Sequence, residues 1–308
     1  MEAREFYSNG KLLISGEYFV LDGALALAVP VKFGQGLEVT EIDNIGTINW
    51  KSFQNNRLWF TANFRKNNFE ILSANDKEIA KNLSKILSLA ATYNESFLTS
   101  AIGLQVNSHL NFNRKFGLGS SSTLISNIAY WADVDPYKIN KETFKGSGYD
   151  IACARSNKPL LYQLKNNLPE QFNTSFLPDF SQNIYFVYLG NKQSSLNSIN
   201  EFRKHSKPEA KSIEQISELS KKLAFAKELD DFEKIIIEHE CIVSKALMKK
   251  RIKNLYFSDF DGEIKSLGAW GGDFIMVTSR MSYDKVVEYF KKHKLKVIYR
   301  FDEMVKNG

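Results

Sequence analysis

The chain has 308 residues, 43% apolar and 13% aromatic, enough for a buried core and too long for a single one, so two packed domains are expected. Two cysteines, Cys153 and Cys241, stand in no CxxC or Cys/His cluster, which argues against a disulfide framework and a structural zinc site. The net charge of +6 attracts anions, whether nucleic acid, an acidic membrane surface or small phosphorylated metabolites. No RGG tract, RNP motif or aromatic-basic interleaving speaks for nucleic acid. The apolar stretch Ala24 to Val31 is far short of the roughly 20 residues that span a bilayer. The opening MEAREFYSNG has no apolar core of a signal peptide, so a cytoplasmic protein is expected.

In chain order, Lys11 to Ser15 reads as a short strand ending at Gly16. Tyr18 to Leu21 and Ala24 to Val31 flank Asp22-Gly23, a hairpin signal. Leu37 to Thr40 and Gly46 to Trp50 read as further strands, with Leu58 to Phe60 and Phe69 to Leu72 pairing beyond them. From Asn75 to Thr92 the spacing of Ile79, Leu83, Ile86, Leu87 and Ala90 predicts a helix. Ile102 to Val106 returns to strand. A helix is predicted from Ser120 to Trp131 and another near Asp150. Residues 165 to 183, rich in Asn and carrying two prolines, read as a linker or long loop. Then come a strand (Ile184 to Leu189), helices from Pro208 to Leu229 and Asp231 to Lys249, a strand (Phe274 to Thr278), a helix (Tyr283 to His293) and a last strand (Lys296 to Phe301). Mixed in this way, the elements imply an α+β fold.

The strongest local signal is Phe116-Gly117-Leu118-Gly119-Ser120-Ser121-Ser122, opening a helix with Leu124, Ile125, Ile128 and Trp131 as its apolar positions. Glycines let backbone approach a ligand closely, and a helix N-terminus offers free N–H groups to a phosphate. The same residues also fit a serine N-cap after a glycine turn. There is no GxxxxGK[ST], and Ser122 stands where a dinucleotide fingerprint needs its third glycine.

Gly-Leu-Gly-Ser-Ser opening a helix resembles the second motif of the GHMP kinases, which include galactokinase, homoserine kinase, mevalonate kinase and phosphomevalonate kinase. Asn9-Gly10-Lys11, running on to Gly16-Glu17-Tyr18, resembles that family's first motif. Gly146-Ser147-Gly148-Tyr149-Asp150 resembles the segment that carries its active-site acid. Gly268-Ala269-Trp270-Gly271-Gly272-Asp273 resembles its third, glycine-rich motif. The four stand in the family's order and cover nearly the whole chain.

The resemblance implies a two-domain GHMP kinase fold. Residues 1–180 would form a domain like a ribosomal-protein domain, with the ATP phosphate loop, and 181–308 a ferredoxin-like α/β sandwich. It implies that Gly117, Leu118, Gly119, Ser120, Ser121 and Ser122 cradle ATP, with Ser121 touching Mg2+. Asp150 would be the catalytic acid, with Lys11 beside it, Glu17 a supporting acid, and Gly271 and Gly272 the approach of the third loop. By residue type alone, Lys11 is a solvated strand lysine, and Ser147 to Asp150 fits the Ser-x-x-Asp/Glu pattern of a helix start.

Asn9 replaces the family's proline, Trp270 replaces a glycine and sets a large ring beside the expected site, and no second magnesium ligand stands out beyond Glu142. His109, His205, His239 and His293 fall in no motif and read as surface or core residues. Lys221-Lys222, Lys249-Lys250-Arg251 and Lys291-Lys292 read as solvated helix faces, one of which could help bind an anionic acceptor.

Gly-Glu-Tyr, Gly-Ser-Gly-x-Asp and Gly-Gly-Asp resemble phosphomevalonate kinases most, with mevalonate kinase as the alternative and a ligand sensor without catalysis as a further one. The expected partner is a small anionic metabolite, without nucleic acid or membrane, the chain acting as a monomer or homodimer.

Overall fold

The computed structural model describes residues 3–144, 146–190, 195–205 and 208–308. They gather into two compact units. The first holds Met1–Gly10, Phe33–Arg114 and Leu118–Arg155, and the second Lys11–Lys32, Lys115–Gly117 and Ser156–Gly308.

The first unit is a sheet covered by helices. Its strands come from β1 (Arg4–Leu13), β2 (Ala26–Ile42), β3 (Thr47–Gln54), β4 (Arg57–Arg65), β5 (Ile71–Ala74) and β6 (Gly103–Leu110). They lie in the order β5-β4-β3-β6-β2. β3 and β6 run parallel, in register from Ile48 with Leu104, and the other pairs of this series are antiparallel. Alternation along β3 and β4 buries Ile48, Trp50, Phe60, Ala62 and Phe64 on one face. Against that face pack α1 (Lys77–Tyr93), α2 (Ser120–Ala132), α3 (Pro136–Thr143) and α4 (Tyr149–Arg155), through Leu83, Ile86, Leu87, Ile125, Ile128, Trp131, Ile139 and Ile151. Asp76 caps α1 by accepting from the Glu78 and Ile79 amides. The predicted helix over Asn75 to Thr92 is thus present with its expected face.

In the second unit, β2 pairs through Ala26–Ala28 with β7 (Leu160–Lys165), which in turn pairs with β8 (Leu168–Asn173). The expected long loop over 165 to 183 therefore begins as a hairpin. Asn166 and Asn167 at its tip have φ of 52° and 61°, the left-handed pair that a two-residue turn needs and that asparagine tolerates. Pro169 fits because β8 pairs on one side only.

The expected hairpin about Asp22-Gly23 is absent. Phe19–Asp22 is a 3₁₀ turn closed by Gly23, and Phe19 and Val20 are buried rather than alternating as in a strand.

The rest of the second unit is β9 (Ile184–Tyr188), α5 (Ser195–His205), α6 (Ala210–Phe225), α7 (Leu229–Leu247), α8 (Ile252–Tyr256), β10 (Ile264–Leu267), β11 (Phe274–Thr278), α9 (Tyr283–Lys292), β12 (Ile298–Arg300) and α10 (Phe301–Met304). The strands form an antiparallel sheet, β10-β11-β9-β12. A β-α-β-β-α-β series in that order is the ferredoxin-like arrangement that the resemblance implies. No helix among the described residues is long and apolar enough to cross a membrane. The side chain of His205 lies outside the described residues.

Candidate active site

The glycine-serine segment is set by its backbone. Gly119 is the N-cap of α2 with φ of 90° and has no side-chain cap, so the amides of the first turn are not taken by a capping side chain. Ser121 is exposed and Ser120 half-buried, whereas Leu118 is fully buried. Ser122 turns inward and donates to the Gly119 carbonyl at 2.8 Å. Its hydroxyl is committed to the helix start, and Leu118 has only backbone to offer a ligand. Backbone N–H groups at this turn, with the Ser120 and Ser121 hydroxyls, suit a phosphate.

Gly117 has φ of 65°, and a Cβ built there would lie 1.8 Å from Asp273 Oδ2. Only glycine fits, because the third motif's acid occupies the space a side chain would need. Lys11 Nζ donates to the Gly117 carbonyl at 2.8 Å. Tyr188 OH donates to the Lys115 carbonyl at 3.0 Å, and the Phe116 ring packs on Tyr188 and Phe274. Burial pushes the Tyr188 phenol up, and the Asp273 carboxylate adds to it. Within the second unit, residues of the first, second and third motifs therefore meet around Gly117. The sequence signal for Asp273 was present in Gly-Gly-Asp, but nothing in the pattern says that the carboxylate packs on the loop.

Asp150 stands in the first turn of α4, half-buried, and accepts from the Ile151 amide at 3.1 Å. Its helix is pinned to α2 by Arg155, which reaches Ser126 O at 3.4 Å and stacks on the Tyr130 ring at 3.5 Å. Burial pushes the Tyr137 phenol up, and the charges of Cys153 and Asp150 push the same way. Glu142 accepts from Tyr93 OH at the exposed end of α3, which leaves it a poor magnesium ligand. Among the described residues no cluster of three or more His, Cys, Asp or Glu could hold a metal. A magnesium ion held mainly by nucleotide phosphates and water needs only one or two protein oxygens. The exposed Ser121 hydroxyl can supply one such oxygen, while the uncapped amides beside it suit the phosphates.

The third loop turns tightly, with the Gly272 N–H on the Ala269 carbonyl at 2.8 Å. The Trp270 ring lies in an apolar cluster of the second unit. It is buried with Tyr18, Phe202, Val243 and Leu247, and its indole N–H reaches the Lys250 carbonyl at 3.3 Å. The Trp270 amide donates to Tyr18 OH at 2.7 Å, and burial pushes that phenol up to about 12. Trp270 lines a cavity of about 550 Å³ with Lys250, Phe257, His293 and Gly271. Trp270→Phe, which removes the indole bond and some volume, should lower stability by about 1–2 kcal/mol in urea titrations, with little change in the slope of the transition.

Glu17 is not at the surface. It is 2% exposed, and Lys265 Nζ donates to its Oε1 at 2.5 Å. His239 Nε2 lies 3.4 Å from Glu17 Oε2 and accepts from the Gly16 amide at 3.0 Å. The Ser266 amide donates to Glu240 Oε1 at 3.2 Å, and Lys265 Nζ is 3.9 Å from the same oxygen. Burial raises the Glu17 carboxyl against the pull of Lys265. Burial raises Glu240 to about 8, which holds it protonated at neutral pH, and holds His239 neutral, well below the usual histidine range. Lys265, His239 and Glu240 were invisible as a site because they lie on α7 and β10, far in sequence from Glu17, and match no motif spacing.

The fold is that of the GHMP kinases. The chain is similar to Methanococcus jannaschii mevalonate kinase, at 16% identity over 100% of this chain and 99% of that one, with a TM-score of 0.73. It is similar to Streptococcus pneumoniae phosphomevalonate kinase, solved with phosphomevalonate and AMPPNP, at 15% identity over 97% and 100%, TM-score 0.69. Lactococcus lactis galactokinase, solved with galactose, is 10% identical over 100% and 94%, TM-score 0.69. No family model matches the sequence, and no curated protein matches it.

Proposed function

We propose that this chain is an ATP-dependent kinase that transfers the γ-phosphoryl group of MgATP to phosphomevalonate, a step in isoprenoid precursor synthesis. The observation that carries the reading is the bond from Lys11 to Gly117, which ties the first motif to the glycine loop, with Asp273 of the third motif against the same residue. Gly-Glu-Tyr, Gly-Ser-Gly-x-Asp and Gly-Gly-Asp support the acceptor, and the +6 charge suits a substrate with carboxylate and phosphate.

Bound MgATP supplies the phosphoryl group and the cation that neutralises it. The chain's own part is alignment and charge. The α2 amides with Ser120 and Ser121 hold phosphate oxygens, and Lys11 keeps the Gly117 turn in place. Asp150 orients the acceptor. A phosphate-monoester oxygen is already ionised at neutral pH, so phosphomevalonate needs no base. With mevalonate, the second acceptor we would test, Asp150 would take the hydroxyl proton, a contribution of roughly 10²–10⁴-fold.

A coupled ADP-release assay with MgATP and mevalonate, phosphomevalonate, homoserine or galactose tests this. Turnover is expected with phosphomevalonate, and Asp150→Ala should lower it by about 10²-fold or more. Turnover of homoserine or galactose alone would refute the acceptor, and ATP binding without turnover of any would refute the kinase.

A further inference from the structure

Four ionisable side chains meet in the interior of the second unit, and the kinase reading uses only one of them. Glu17 comes from the turn after β1, His239 and Glu240 from the middle of α7, and Lys265 from β10, and each is no more than 2% exposed. Such burial is costly, and apolar residues of similar volume commonly stabilise a fold as well or better. The cluster is also imperfectly satisfied. Among the described residues, Glu17 Oε2, His239 Nδ1, Glu240 Oε2 and Ser266 Oγ are buried without a hydrogen-bond partner.

What the four groups hold in common is the run-out of the first motif and the run-in of the third. His239 takes the Gly16 amide, Lys265 takes Glu17, and the next residue, Tyr18, takes the Trp270 amide. Gly16 itself has φ of 87°, and a Cβ there would come 2.6 Å from Ala26 Cβ, so the turn has one way to pass. Upstream, the Ile14 and Ser15 amides bond Leu27 O, fixing the strand end that carries Lys11. Downstream, β10 leads from Lys265 into the glycine loop and on to Asp273, which faces Gly117.

We propose that Lys265 is a positioning residue of the phosphoryl-transfer site. Its bond to Glu17, backed by His239 and Glu240, clamps the first-motif turn to the strand that feeds the third motif, and so sets Lys11 and Asp273 at Gly117. The proposal rests on the kinase reading for its consequence in catalysis but not for the clamp itself. Breaking the ion pair from one side leaves a buried carboxylate uncompensated, whereas removing both charges does not.

The test compares Lys265→Met with the double variant Glu17→Gln/Lys265→Met in the intact chain. We expect Lys265→Met to lower kcat by about 10²-fold, the loss that a displacement of about 1 Å produces, with KM for ATP little changed. The double variant should regain the melting temperature yet keep the low kcat. Recovery of kcat along with stability would overturn the proposal, leaving Lys265 a structural residue only. If Lys265→Met does not fold, the double variant decides alone. Amide exchange supplies a readout free of turnover: Gly16 and Trp270 should exchange about tenfold faster in the double variant, with β11 unchanged. Unchanged exchange at both amides would overturn the clamp, whatever the assay shows. Absence of turnover in the unaltered chain would count against the kinase reading alone, and the exchange result would still decide the clamp.

Discussion

Gly117→Ala is expected to weaken ATP binding and turnover by about 10²-fold or more while leaving the chain folded. Two costs act together. The left-handed backbone at φ of 65° disfavours any L-residue by roughly 1–2 kcal/mol. The new methyl group would also sit 1.8 Å from the Asp273 carboxylate, so either the loop or the acid must move. A second substitution separates these. Asp273→Gly in the Gly117→Ala background should restore part of the ATP affinity by relieving the collision, and the dihedral cost should remain. Calorimetric titration with ATP reads both steps. Unimpaired binding by Gly117→Ala would mean that this loop does not seat the phosphates.

Glu240→Gln is expected to change how stability depends on pH. Burial raises the Glu240 carboxyl from the usual carboxylate range, near 4.5, to about 8. The folded state thus binds a proton that the unfolded chain has released. A raised pKa contributes stability that is complete below about 4.5 and is lost as pH climbs to about 8, at about 1.4 kcal/mol per pH unit. His239 acts in the opposite sense. Its lowered pKa contributes stability above about 6.5 that is lost on acidification below that value. The two slopes oppose each other just below pH 6.5, and above it the His239 contribution is complete while that of Glu240 is still being lost. The groups facing Glu240 are Lys265, Glu17, Arg251 and the Ser266 amide. A glutamine keeps the neutral form at every pH, so the variant should gain on the parent progressively between pH 6.5 and 8. Urea titrations across that range would show it, and a constant difference would place the ionisation elsewhere.

The sequence carried more of the loop than of its surroundings. The Gly117–Ser122 segment was legible because glycine and helix-start chemistry are local, and α1 because its apolar spacing repeats over four turns. The element α3 could have been found from Asp135-Pro136, since Asp135 accepts from the Tyr137 amide and proline stands in the first turn. β10 could hardly have been. Its four residues are all buried, yet Lys265 and Ser266 are polar and leave no apolar run, and only Glu17, far away in sequence, explains why a lysine is there. The 165 to 183 segment misled through composition: asparagines and prolines mark loops, but two left-handed asparagines also close a tight hairpin. For Trp270 the family pattern, which places glycine there, says nothing of the apolar cluster that takes the ring.

The way the chain is threaded has a consequence for synthesis. Pro30 accepts from the Lys306 amide, and Val31 bridges Val305, so the segment Lys11–Lys32 of the second unit is completed only by residues made some 270 positions later. Tyr18 and Phe19 likewise find Phe202 and Ile216, which emerge far later than they do. Until then these rings wait, uncovered, on a nascent chain. Contacts so distant in sequence slow folding, though closure entropy grows only with the logarithm of the loop. The second unit thus cannot finish until residues 305 and 306 have emerged, and in that interval its early apolar surface is open to misassociation.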